Sequence, residues 1–359
     1  MIVNSTISIY AKVGNIPHNG VSKKIRDIAS ALKENGHIVD VKVASEPGIR
    51  GHLNLALNII KNKSSTLIIR MTAFSMLILI LPMIINRLKG NFITLEIPTP
   101  ISSIYNEVKI SNDSEIKKNL KKTLINISFP ISLLPANKIV YYADETENYY
   151  ITFVKNKMQK ISNGINCKTI NIKKSNIDQK IFTMVSVSSI EKWHGLDRVI
   201  FGIRNHVCNK FNPTVRLYII GTGVELPHLK KLVQDNQLTD YIFFIDPISD
   251  SDLDIYFDNS HIAFSSLGLH RKNLIQTSEL KNREYAARGI PMVMSEVMDI
   301  DFPDQKFIYH APSNDEPINI KNIYDFYLTI SNNALNTDIR SYAEKVVDYR
   351  NKVKNLLPL

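Results

Sequence analysis

Short, nearly unbroken apolar runs alternate along this chain with longer stretches in which apolar residues recur every three or four positions. The first pattern predicts strands buried on both faces, and the second predicts amphipathic helices. In the first half, residues 5–13 (STISIYAKV), 38–44, 67–70, 92–97 and 138–142 read as strands. A helix is expected over residues 21–33, where Ile25, Ile28, Ala29 and Leu32 share a face and Gly36 ends it. In the second half, residues 182–187, 214–220, 241–245 and 262–265 read as strands. Helices follow over 226–236 and 251–257, and the tail from 320 to 359 is helical. Strand–helix alternation over both halves predicts an α/β fold of two Rossmann-like, doubly wound domains. Such sheets bind ligands at the carboxyl ends of their strands. The polar, lysine- and asparagine-rich stretch 154–176 marks the division, giving domains over residues 1–160 and 161–330.

The 359 residues suffice for two cores, and 44% hydrophobic with 22% charged residues excludes a disordered chain. The two cysteines, Cys167 and Cys208, exclude a disulfide framework and a cysteine-built zinc site. With no signal-peptide pattern in residues 2–13, this points to the cytoplasm. The net charge of +10 lies in the first half: residues 1–160 hold 21 basic and 11 acidic side chains, and the remainder holds 23 of each. A one-sided basic field suits an anionic partner, although lysine-rich solvated faces give the same count.

Two segments bear on that choice. Residues 71–86 (MTAFSMLILILPMIIN) are uncharged, shorter than the ~20 residues that cross a bilayer, and interrupted by Pro82. They read as a buried core helix, with a membrane-dipping helix as the alternative. Over residues 116–134, Ile116, Leu120, Leu124 and Ile127 share one helical face, with Lys117, Lys118, Lys121 and Lys122 on the other. A helix lying in an anionic membrane interface has this pattern, each lysine contributing ~1 kcal/mol. So does an ordinary surface helix. The basic clusters lack interleaved aromatics and any nucleic-acid-binding motif, so no nucleic-acid partner is expected.

Candidate chemistry gathers in the second half. A strand runs into Gly221-Thr222-Gly223 and a helix follows, an arrangement that brings backbone N–H groups to a phosphate. Residues 265–291 (SSLGLHRKNLIQTSELKNREYAARGIP) then cluster Arg271, Lys272, Lys281, Arg283 and Arg288 around Glu284. A carboxylate there suits two ribose hydroxyls and the cations suit a diphosphate. The alternative is a solvated helix with a Glu284–Arg288 ion pair. Asp252 and Asp254 read as helix caps rather than a metal pair. His206, His228, His261 and His310 lack metal-ligand spacing.

In order, ISNGIN (161–166), VSVSSIEKWHGLDR (185–198), IIGTG (219–223), residues 241–257 and the 267–291 segment resemble the retaining GT-B glycosyltransferases of family 4. The similarity is to the bacterial capsule, O-antigen and exopolysaccharide branch. LEIPTP (95–100) adds a thin match in the first half. The resemblance implies a metal-independent enzyme of hexosyltransferase type with two domains facing across a cleft. The first domain would take the acceptor and the second a nucleotide sugar, UDP-linked by expectation. Terminal helices over 331–359 would pack back on the first domain. It places Glu284 at the second glutamate of the family's pair, which binds the ribose. The first glutamate position is Gln276 here, which hydrogen-bonds but carries no charge.

The family's phosphate-binding arginine is missing near Val187 and Ser188, so the diphosphate clamp is assigned to Arg271, Lys272 and Lys281 with the Gly221–Gly223 backbone. Cations and oriented N–H groups there would meet the charge that develops on the leaving diphosphate. His18 joins Arg271 and Lys281 as a catalytic candidate, with Gly20, Lys192 and His194 as acceptor or loop positions. The expected role is sugar transfer to a lipid-diphosphate-linked or growing glycan at the inner face of the cytoplasmic membrane. The alternative is a non-catalytic sugar-nucleotide or glycan-binding relative with a degenerate glutamate pair.

Overall fold

The computed structural model describes residues 5–13, 20–72, 75–110, 113–142, 152–174, 180–249, 251–272, 274, 276–296, 298–332 and 334–358. The chain forms two compact units, Met1–Asn166 with Tyr349–Leu359, and Cys167–Asp348. The first contains β1 (Thr6–Lys12), α1 (Gly20–Glu34), β2 (Ile38–Ala44), α2 (Gly48–Ile60), β3 (Thr66–Arg70), α3 (Met76–Leu88), β4 (Phe92–Ile97), α4 (Ile101–Ile110), α5 (Glu115–Leu133), β5 (Lys138–Tyr141) and β6 (Met158–Lys160). Its strands are parallel in the order β2-β1-β3-β4-β5-β6. Helices cover both faces, so consecutive residues of β1 and β3 are buried whichever way they point. α2, α3 and α5 share one apolar cluster with Leu67, Leu95 and Ile139. α1 shares another with Ile7, Ile9 and Ile68. β2, at the edge, is mostly exposed and carries Asp40 and Lys42, which discourage further strand pairing.

Residues 71–86 give α3, starting at Met76. Its inner face buries Met76, Leu79 and Met83, while Leu77, Leu81, Ile84 and Leu88 remain exposed. The amphipathic 116–134 segment gives α5, with its faces arranged differently from an ordinary surface helix. Ile125, Phe129 and Leu133 face the core, whereas Ile116, Leu120, Leu124 and Ile127 are exposed. Lys118 pairs with Glu115 and Lys121 with Asp113. Among the described residues, no helix is long and apolar enough to cross a membrane.

The second unit contains β7 (Ile181–Val187), α6 (Leu196–Cys208), β8 (Thr214–Ile220), α7 (Leu226–Asp235), β9 (Ile242–Ile245), α8 (Asp254–Asp258), β10 (Ile262–Phe264), β11 (Gln276–Thr277), α9 (Leu280–Arg288), β12 (Met292–Ser295), β13 (Met298–Asp299), β14 (Ile308–Ala311), α10 (Ile320–Ile330) and α11 (Leu335–Val346). Its main sheet runs β14-β12-β10-β7-β8-β9, all parallel, and β11 and β13 form a separate pair. The chain builds outward from β7 to β9 and then returns to β10 on β7's other side. The β7/β10 junction is therefore the topological switch point, where doubly wound sheets bind their ligands.

The domain boundary differs from the expected 160/161. Asn166 donates its backbone N–H to Asp27, and the Ile165 carbonyl accepts from Tyr349, so residues 161–166 complete the first unit. The tail also divides differently from the expected 331–359 return. α11 packs on α9, and Arg340 donates to the carbonyls of Cys167, Ile170 and Ala287, which holds this helix in the second unit. Only α12 (Tyr349–Lys352) and the turn after it join the first unit, burying Tyr349, Val353 and Leu356 beside α1. α8 is shorter than the expected 251–257, and neither aspartate makes a side-chain capping bond: Asp252 accepts from Ser249, and Asp254 pairs with Arg288 and accepts from Asn171.

Candidate functional site

At the β7/β10 junction the second unit ties its strand ends together. Tyr285 of α9 accepts from the Val187 N–H at 3.0 Å and donates to the Phe264 carbonyl at 3.1 Å. Two loops leave this point, residues 188–195 and residues 265–272. They meet backbone to backbone: the N–H groups of Leu267 and Gly268 donate to the carbonyls of His194 and Trp193. Gly195, at φ +64, permits this approach, because a Cβ there would lie 2.8 Å from the Gly268 nitrogen. The Gly221-Thr222-Gly223 turn serves a related purpose. A Cβ at Gly221 would sit 1.9 Å from the Ser188 carbonyl oxygen, and one at Gly223 2.1 Å from that of Ile190. These glycines bring the turn against the 188–190 backbone, where Ile190 N–H donates to the Thr222 carbonyl. Thr222 itself is exposed.

Most of the conspicuous polar residues brace these loops. Arg198 is buried and donates to the carbonyls of Leu267, Pro312 and Glu316. Arg271, expected in the diphosphate clamp, grips Asp197 with both terminal nitrogens at 3.0 and 2.8 Å, Asp315 at 2.7 Å and the Lys192 carbonyl at 2.8 Å. Its guanidinium is thus engaged by two carboxylates and a carbonyl, and its pKa is raised chiefly by the Asp197 hydrogen bond. Arg283 is buried between Asp299 and Asp301. His194 accepts the Glu191 N–H on Nδ1 and is bound to the Ser189 carbonyl through its other nitrogen. Burial, then the charges of Lys281 and Lys272, push it down to about 2, so it is a neutral ring at ordinary pH.

Other expected residues stand differently. Lys281 lies in the first turn of α9, and among the described residues nothing accepts from its buried ammonium. Burial lowers its pKa, opposed by the Glu279 charge. Glu279 accepts from Ser265 at 3.0 Å and from Ser266 at 2.5 Å, which fixes the start of α9 at the end of β10. The Lys272 ammonium stands 4.0 Å from the Trp193 ring centroid, a cation–π contact. Glu284 is half-buried and oriented by Arg288, which reaches it at 3.0 Å and also holds Asp254. That i,i+4 pair is the one anticipated as an alternative, with its arginine buried rather than solvated. Gln276 begins β11, beside Met298 of β13. Lys192 is exposed.

In the first unit, His18 lies outside the described residues, and Gly20 opens α1. Glu96, within the LEIPTP segment, is the centre of a buried polar group at the carboxyl ends of β3, β4 and β5. Its carboxylate accepts from Lys24 at 2.5 Å, Arg70 at 2.8 Å and Tyr142 at 2.7 Å. Burial alone raises a carboxyl pKa, but the two cations and their hydrogen bonds outweigh it and bring Glu96 to about 2.

Residues 168–297 match the family model described as "Glycosyl transferases group 1". That matched stretch lies within the second unit and spans its β7/β10 junction. Among solved structures, the chain is similar to sucrose-phosphate synthase from Thermosynechococcus elongatus, with TM-score 0.68 and 12% identity over 98% of this chain and 97% of that one. HepE of Anabaena, solved with UDP and glucose, gives 0.64 and 13%, covering 98% of both chains. A glycosyltransferase from Rickettsia africae gives 0.64 and 14%, covering 98% and 96%. No curated protein matches the sequence. At these identities the likeness speaks for the fold, which is that of the GT-B glycosyltransferases.

Proposed function

We propose that this protein is a retaining, family 4-type glycosyltransferase that takes a sugar from a UDP-linked donor. The observation that carries this reading is Lys281, a buried ammonium without an acceptor among the described residues, at the ligand-binding end of a sheet within the matched segment. An unpaired buried cation is costly unless an anion joins it, and a nucleoside diphosphate supplies one. Glu284, steadied by Arg288, binds the ribose hydroxyls, and Gln276 contacts the donor sugar. As the bond from the sugar's anomeric carbon to the diphosphate breaks, its electron pair passes to the departing phosphate oxygen, while an acceptor hydroxyl oxygen bonds to the anomeric carbon and its proton passes to that phosphate. Lys281 and Lys272 stabilise that charge without a metal ion. The structural neighbour solved with UDP and glucose supports the donor class. The acceptor is a lipid-diphosphate-linked glycan of a bacterial surface polysaccharide, met at the inner face of the cytoplasmic membrane. The basic first half of the chain supports this acceptor.

Calorimetric titration with UDP, UDP-sugars, ADP and GDP tests the donor assignment. Lys281→Met should weaken UDP binding about 10- to 100-fold, the loss of a charged hydrogen bond. The same change should raise Tm, because the lowered pKa means that the charge opposes folding at neutral pH. UDP affinity should also fall as pH rises through that lowered pKa, before an exposed lysine would titrate. Unchanged UDP affinity in both Lys281→Met and Glu284→Ala would refute the site. Donor binding without hydrolysis or transfer would favour the non-catalytic reading that Gln276 suggests.

A further inference from the structure

α2, α3 and α5 lie side by side as one layer over the same face of the first unit's sheet. The outer surface of that layer is apolar. Leu77, Leu81 and Ile84 project from α3, and Leu120, Leu124 and Ile127 from α5, with Leu81 62% and Leu120 59% exposed. Each set recurs at helical spacing, so it forms a continuous stripe. Soluble surfaces rarely leave adjoining apolar stripes uncovered. The flanking charge identifies what covers this one. The three helices carry Arg50, Arg87, Lys117, Lys118, Lys121 and Lys122; Glu115, and Asp113 just before α5, pair with Lys118 and Lys121, so the cations remain in excess. A second copy on this face would set like charges against each other, whereas an anionic lipid surface complements them.

We infer that the α3–α5 face is a monotopic membrane-docking surface: its leucines and isoleucines enter the acyl boundary of an anionic leaflet while the flanking cations meet lipid phosphates. This rests on and deepens the membrane-linked part of the proposed function, and it extends the single interfacial helix read over residues 116–134 to a face shared with α3. Vesicle binding is read without turnover, so its failure and a failure of the donor assignment are distinguishable.

Co-sedimentation with phosphatidylglycerol–phosphatidylcholine vesicles tests it, with phosphatidylcholine alone as comparison. The wild-type protein should prefer the anionic vesicles and release with salt. The triple variant Leu81→Ser, Leu120→Ser, Leu124→Ser should lose about tenfold in partition per leucine. Lys117→Ala with Lys122→Ala should lose about fivefold per lysine and weaken the salt dependence. Leu120→Trp keeps the face apolar, and the emission of the introduced indole should shift to the blue on anionic vesicles. Overturning results are a wild-type protein indifferent to both vesicles, a triple-serine variant that binds like wild type, or no blue shift in the Leu120→Trp variant. A concentration-dependent dimer dissolved by the triple substitution would also overturn the proposal and give the face to a second copy.

Discussion

Glu96 and Lys281 are both buried and charged, but on opposite terms. Glu96 has two cations and a phenol around it, whereas Lys281 has no acceptor among the described residues. Because Glu96 is brought from 4.5 to about 2, it stabilises the fold above its unfolded pKa, and that stabilisation disappears as pH falls from about 4.5 to about 2. At ~1.4 kcal/mol per pKa unit the contribution is about 3 kcal/mol. Urea melts of Glu96→Gln should show a loss of that order at neutral pH and little further loss across the acid window, where the wild type weakens steeply. Such partners are hard to find in a sequence. Arg271 stood out as a phosphate ligand because it is basic and sits in a basic run. Its carboxylates are 74 residues before it and 44 after it, and only folding reveals them. Lys281 and Glu284 were legible as candidates, but the orphaned state of Lys281 was not.

At the scale of elements, the strands β2, β4 and β8 were legible to the residue, since short runs rich in β-branched and aromatic residues between turns have few other readings. α2 was not, because two glycines and a histidine interrupt its pattern. β12 and β14 were missed because four-residue segments with two or three apolar positions do not distinguish a strand from a helix end. The glycine turn was found, but its backbone neighbour was not legible: glycines permit a close approach whether the neighbour is a phosphate or another backbone. Gly221→Ala tests the second reading. Its φ of +136 and the Ser188 oxygen 1.9 Å from the new Cβ predict a loss of about 3 kcal/mol by thermal unfolding. Gly90→Ala, at φ +80 with open space around it, should lose only about 1 kcal/mol.

At the scale of the whole molecule, two cores in one chain imply separable melting. Removing residues 349–359 strips Tyr349, Val353 and Leu356 from the first unit, at about 2 kcal/mol each. It also removes the carbonyls of Leu356 and Leu357 that accept from Thr94 and Lys138. A loss of about 6 kcal/mol is comparable with the entire stability of many domains. Calorimetry of the truncated chain should show the first unit's transition lowered or lost and the second unit's retained.

The returning segment also sets an order of manufacture. Residues 349–359 leave the ribosome after the whole of Cys167–Asp348. At ~5–20 residues per second, that interval lasts roughly 10–40 s. The unit begun earliest is therefore finished latest. Meanwhile one flank of its sheet stays bare beside α1, an opening that nascent-chain chaperones are suited to cover.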